Sequence, residues 1–97
     1  MSELTDTPLL INRENLRELQ YPEEEVLDSV EKKEKRFTDI KRGLLLGNNF
    51  KNKVKIIFED KEGPKQIHTT IWGVTDKRVI LKEGHVIPIH RIHKIVE

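Results

Sequence analysis

The chain has no cysteine, a single tryptophan, a single tyrosine and three phenylalanines among its 97 residues. The missing thiols exclude disulfides, thiol catalysis and thiolate zinc sites, and they fit a reducing cytoplasm, which is the expected location. No window approaches the roughly 20 apolar residues needed to cross a bilayer, and the opening "MSELTDTPLL" lacks a basic stretch leading into an apolar core, so neither export nor insertion is expected. Serine is absent after Ser29, no glycine-rich phosphate loop occurs, and the only adjacent acids in the second half are Glu59 and Asp60. A familiar nucleophile arrangement cannot be assembled from these residues, so the expectation is a protein that is not an enzyme and needs no cofactor.

What the chain does have is charge, 36% of its residues, unevenly divided. Residues 1–36 hold ten acids against six bases, a net −4, while residues 37–97 hold seven acids against twelve bases, a net +5, together with all four histidines. Opposite signs suit a basic surface that meets nucleic acid or acidic partners, or an acidic helix docked on its own basic domain. Valine, isoleucine and leucine are concentrated after residue 43, which places one modest core in the C-terminal part.

The pattern along the chain predicts three segments within one domain. Residues 1–11 read as a flexible tail with little periodicity. Residues 12–47 read as helical: Asn12 caps a short turn carrying Leu16 and Leu19, the chain breaks at Tyr21–Pro22, and one helix runs from about 22 to 46. In it, Pro22 takes the first position, Glu23, Glu24 and Glu25 complement the dipole, and Lys32, Lys33, Lys35 and Arg36 follow. Val26, Val30, Phe37, Ile40 and Leu44 form its apolar stripe, and Gly47 and Asn48 its C-terminal cap.

From residue 48 the period becomes two. Val54, Ile56 and Phe58 alternate with Lys53, Lys55 and Glu59; Ile67, Thr69 and Ile71 follow, with Gly73 marking a sharp bend. "TDK" makes a corner into Val79–Leu81, "KEGH" makes a hairpin turn into Val86–Ile87, and "IHRI" after Pro88 has the character of one helical turn before a closing strand. The fold class expected is therefore α+β, an N-terminal helix packed on a small, strongly bent, five-stranded antiparallel β-barrel of the SH3 or Sm type.

The order "KVKIIFE", "TTIWGVTDKRVILK", a glycine turn and "IPIHRIHKI" resembles a small uncharacterised bacterial family of single-domain proteins. More distantly, residues 37–97 are similar to the Sm-like RNA-binding barrels, including the bacterial RNA chaperone of that fold. The resemblance implies an RNA path along two turns, which fall here on Asp76, Lys77 and Arg78 and on His90, Arg91 and His93. The chain departs from the Sm pattern at Arg78, where asparagine is common, and lacks the glycine expected beside Arg91.

The residues themselves support a similar contact set. Lys77, Arg78, His90, Arg91, His93 and Lys94 are candidate phosphate contacts, and Trp72 is either a stacking platform or a buried structural side chain. His90 and His93 could share a side only on a helical turn, and a third metal ligand would have to come from His85 or His68, so the imidazoles read as ordinary side chains and no metal is expected. The function expected is a non-catalytic binding module for single-stranded RNA or DNA. The alternative is a protein-interaction or homo-oligomerisation module that uses the acidic helix, with Leu27, Val30 and Phe37 as its contacts.

Overall fold

A computed structural model describes residues 7–97. One α-helix, α1 (Val30–Phe50), accompanies seven strands: β1 (Leu9–Leu10), β2 (Val54–Asp60), β3 (Gly63–Thr69), β4 (Ile71–Val74), β5 (Arg78–Leu81), β6 (Val86–Pro88) and β7 (Ile92–Val96). Short 3-10 turns occupy Arg13–Glu18, Lys82–Gly84 and Ile89–Arg91. The strands form two sheets, one ordered β1-β3-β2-β7 and the other β4-β5-β6.

Both sheets contribute to one core. Val54, Ile56 and Phe58 of β2, Ile67 of β3, Ile71 of β4, Val79 and Leu81 of β5, Ile87 of β6 and Ile92 and Ile95 of β7 cluster with Leu16 and Ile40. The period-two alternation read from the sequence aims these side chains inward, and burial of each is worth roughly 1.5–3 kcal/mol. Only Thr70 separates β3 from β4, so the chain changes sheets within one residue.

The helix differs most from expectation. It begins at Val30, where the Ser29 side chain accepts from the Lys32 amide at 3.2 Å, rather than at Pro22. The preceding amides are committed elsewhere: Val26 N–H donates to the His90 carbonyl at 3.0 Å, and Leu27 N–H to the Glu25 carboxylate at 2.9 Å. Such local and cross-chain bonds compete with a helical ladder, and residues 20–29 form an irregular strap instead. At the other end the helix runs through Gly47, because that glycine is a packing position. A Cβ on it would overlap the Ile71 carbonyl oxygen of β4, and one on Gly43 would stand 2.9 Å from Ile71 Cδ1.

The helix thus buries Arg36, Ile40, Gly43 and Gly47 across the seam where β4 and β7 approach, leaving Val30 and Phe37 exposed. Of the expected apolar stripe, Ile40 and Leu44 pack on the core, Val30 and Phe37 point to solvent, and Val26 precedes the helix. The cap falls to Lys51, left-handed at φ 56°, with its N–H on the Gly47 carbonyl and Asn52 N–H on the Leu46 carbonyl. Lys51→Gly should therefore raise stability by up to about 1 kcal/mol, read as a shift of the urea midpoint, since a Cβ resists that conformation.

Of the residues assigned to a tail, 1–6 lie outside those described, while Leu9 and Leu10 pair in parallel with Lys65 and Gln66 of β3. Gln66 also donates to the Pro8 carbonyl at 2.7 Å, so side-chain and backbone bonds draw this segment onto the sheet. Strand number exceeds five because β1 is added and the long middle strand is divided at Thr70. The corner at Thr75, the hairpin turn through Glu83 (φ 68°) and Gly84 (φ 85°), and the single turn at Ile89–Arg91 lie where the sequence puts them.

Candidate nucleic-acid interface

The turn between β4 and β5 is built by Thr75. Its Oγ1 accepts from the Lys77 amide at 3.2 Å and the Arg78 amide at 2.9 Å, and its own N–H donates to the Arg78 carbonyl at 2.8 Å. The Ile89 amide donates to the Lys77 carbonyl at 2.9 Å and fixes this turn against the one before β7. Lys77 and Arg78 project from a rigid corner with exposed side chains.

Trp72 is placed by a β-bulge. Ile71 stands opposite Leu81 and Gly73 opposite Ile80, so Trp72 is the extra residue of β4. Ile71 is fully buried and Val74 packs on the core, whereas Trp72 is 51% exposed and a Cβ on Gly73 would meet the Ile80 side chain at 3.6 Å. The bulge therefore turns two successive residues outward. Because Val79 and Leu81 point inward, Arg78 and Ile80 share the outer face of the β4-β5-β6 sheet with Trp72, and exposed Val86 adjoins Ile80 on β6.

The histidine-rich turn is organised differently. Arg91 is only 6% exposed; its Nε donates to the Glu59 carbonyl at 3.0 Å and its Nη1 to the Glu24 carbonyl at 2.8 Å. The His90 Nε2 donates to the Pro22 carbonyl at 2.9 Å, and the His93 Nε2 to Glu59 Oε1 at 2.9 Å, since neither oxygen can supply a proton. These three side chains clasp the strap and the end of β2. Their backbone positions follow the expected turn and strand, but the Arg91 guanidinium and both Nε2 atoms bond inside the molecule, and His90 and His93 line different grooves. Among the described residues no three potential metal ligands gather.

Lys94 is exposed on β7 and lines, with α1, a groove that neither Lys77 nor Arg78 borders. The predicted cations are thus divided between two surfaces. Lys77, Arg78 and Asp76 border a smaller groove of about 550 Å³ shared with Tyr21, Pro22 and His90. Behind it, burial and the charge of Asp60 push the Tyr21 hydroxyl well above its ordinary pKa, which keeps the phenol neutral beside Phe58.

Sequence reasoning missed Lys32, Lys35 and Arg42, which line the larger groove beside Lys94. Their spacing of three and seven, with Asp39 between, is itself a helical stripe, and it would have been found by following the charged face of α1 instead of the apolar one. Arg36, expected only as one of the cations that follow the helix's acidic start, is 7% exposed and donates to both Glu25 oxygens at 2.7 Å and to the Ile92 carbonyl at 3.0 Å. Burial alone would raise the Glu25 pKa. The hydrogen bonds from Arg36 and the Leu27 amide, with the charges of Arg36 and Lys33, outweigh it and hold that pKa below the usual value.

No helix among the described residues is long and apolar enough to cross a membrane. The chain matches no family model, no curated protein and no solved structure.

Proposed function

We propose that this protein is a non-catalytic binding module whose outer β4-β5-β6 face takes single-stranded RNA or DNA. The observation that carries the reading is the bulge at Trp72, which leaves an indole half exposed on the same sheet face as Arg78, in the hairpin whose turn carries Lys77. An indole laid on a sheet offers a base a stacking surface, and two cations at the rim offer its phosphates a partner. We also read the fold as an SH3- or Sm-like barrel. Its support is the succession of β2, the bent β3–β4 pair, β5, β6, a 3-10 turn and β7, with β7 returning to pair with β2.

The contact set is accordingly narrowed to Trp72, Lys77 and Arg78, since Arg91, His90 and His93 have partners inside the protein and Lys94 lies on another surface. The test is quenching of the single tryptophan's fluorescence by a short single-stranded oligonucleotide across a salt series. Trp72→Ala, followed by fluorescence anisotropy of labelled oligonucleotide, should cost about 1–3 kcal/mol of binding. Lys77→Ala with Arg78→Ala should flatten the slope of log K against log salt by roughly 1.4. Unquenched fluorescence at low salt, or an unchanged slope, would remove this face from consideration.

A further inference from the structure

Strand β7 ends one side of its sheet, and among the described residues nothing hydrogen-bonds the backbone of residues 93–97 outside the β2 ladder. Alternate residues of such an edge strand turn their N–H and C=O groups away from the ladder. Beyond that edge lies a groove of about 860 Å³ whose opposite wall is the flank of α1. Val96, with the edges of buried Leu27 and Ile95, supplies apolar surface, and Lys32, Lys35, Arg42 and Lys94 supply positive charge, against the acids Asp39 and Glu97. An edge strand facing a helix across a trough is the geometry in which an extended segment is captured as an added strand.

We propose that the α1–β7 groove binds an extended acidic peptide of a partner protein, paired with β7 from Lys94 onward. The starting point follows from the register. Ile57 pairs with Lys94 and Phe58 with Ile92, so His93 is a bulge, and a bulge interrupts pairing on the strand that carries it. The Arg36 guanidinium also occupies the Ile92 carbonyl. Residues 94–96 remain the straight stretch of edge.

Charge selects the occupant. The cations of this groove already hold ion pairs, Lys32 with Asp28 at 3.3 Å, Lys35 with the mostly buried Asp39 at 2.8 Å and Arg42 with Glu97 at 3.2 Å. Their own charged ends are exposed, however, and pairs in contact with water are weak enough to be shared with an incoming carboxylate. A peptide is favoured over a nucleic acid because no stacking surface lines the groove: its single aromatic ring belongs to His93, which is 8% exposed and bound to Glu59. The inference is independent of the nucleic-acid reading, since it uses no residue of the β4-β5-β6 face.

The probe is a short fluorescein-labelled peptide alternating glutamate and valine, followed by anisotropy with the full-length protein. It should bind at least roughly tenfold more tightly than the same peptide with lysine for glutamate, and than the acidic peptide with alternate backbone nitrogens methylated, because methylation removes the donors an added strand needs. Lys35→Glu with Arg42→Glu should lower its affinity by a similar factor, with amide spectra confirming the fold. Amide shifts should cluster on residues 94–97. The methylated peptide keeps the test decisive even if the charge reversal unfolds the chain. Equal binding of all three peptides overturns the proposal, as does displacement of the acidic peptide by unlabelled single-stranded oligonucleotide, which would make the groove a general anion trough. A Trp72→Ala protein that loses the oligonucleotide but keeps the peptide would separate the two sites.

Discussion

Gly47→Ala is expected to destabilise the protein by about 2–3 kcal/mol, or to prevent folding, although alanine is the better helix former by about 1 kcal/mol. The added Cβ would meet the Ile71 carbonyl oxygen and, at 3.1 Å, Thr70 Cγ2, and the first of these belongs to backbone that cannot rotate aside. Relief requires α1 to lift from the β4 edge, which would loosen Ile40 and Ile71 together. Gly43→Ala is the comparison, because its nearest obstacle is the end of the Ile71 side chain, which can change rotamer. Urea unfolding of both variants should place Gly47→Ala well below Gly43→Ala. A Gly47→Ala protein as stable as the parent would mean that α1 does not approach β4 as closely as described.

Arg36→Ala should cost roughly 3 kcal/mol, at the lower end for a buried pair because Glu25 keeps some contact with water. The loss has three parts: the bidentate carboxylate pair, the bond to the Ile92 carbonyl, and the packing of the arginine stem under the strap. The same pair predicts an acid dependence. Glu25 has its pKa depressed in the folded state, so the stability it contributes is fully present above the ordinary glutamate value and is lost as the pH falls through the lower folded value. Urea midpoints at neutral and at acid pH should therefore differ by less in Arg36→Ala than in the parent. An equal acid-induced loss in both would mean that other carboxylates account for it.

Apart from β1 and the division at Thr70, the strands and turns were legible because their signals are local. Alternation from Val54 to Glu59, the Glu83–Gly84 turn and the Pro88-marked turn each depend on neighbouring residues, and nothing distant overrides them. The helix was legible in its middle only. Its true face is defined by Arg36 and two glycines, residue types that score as polar or as breakers, and they are buried there because Glu25 neutralises one and β4 crowds the others. Helix periodicity cannot register a partner eleven residues upstream or a strand more than twenty residues downstream.

The candidate site divides along the same line. Lys77 and Arg78 follow a Thr75 turn whose chemistry is written in the sequence, and both emerge exposed. Arg91 and the two histidines occupy the turn and strand that the pattern indicates, yet their partners Pro22, Glu24 and Glu59 are between 32 and 68 residues away. A cation-rich run beside an exposed turn cannot by itself reveal that its charges are already spoken for. Trp72 was open to either reading because the bulge that exposes it is a relation between strands.

The strap has a further consequence, in the order of assembly. Its bonds run from Gln20 to Lys61, from Pro22 and Val26 to His90 and from Glu24 to Arg91, the longest spanning 68 residues. During synthesis the strap emerges well before the turn at 89–91, and until that turn exists it has only the Arg36 and Lys61 contacts to hold it. Closing loops of that length is entropically costly, so the clasp should form late and set the pace of folding. Until then the acidic segment trails from a chain whose basic turn is still being made, open to chaperones and proteases that the finished protein excludes.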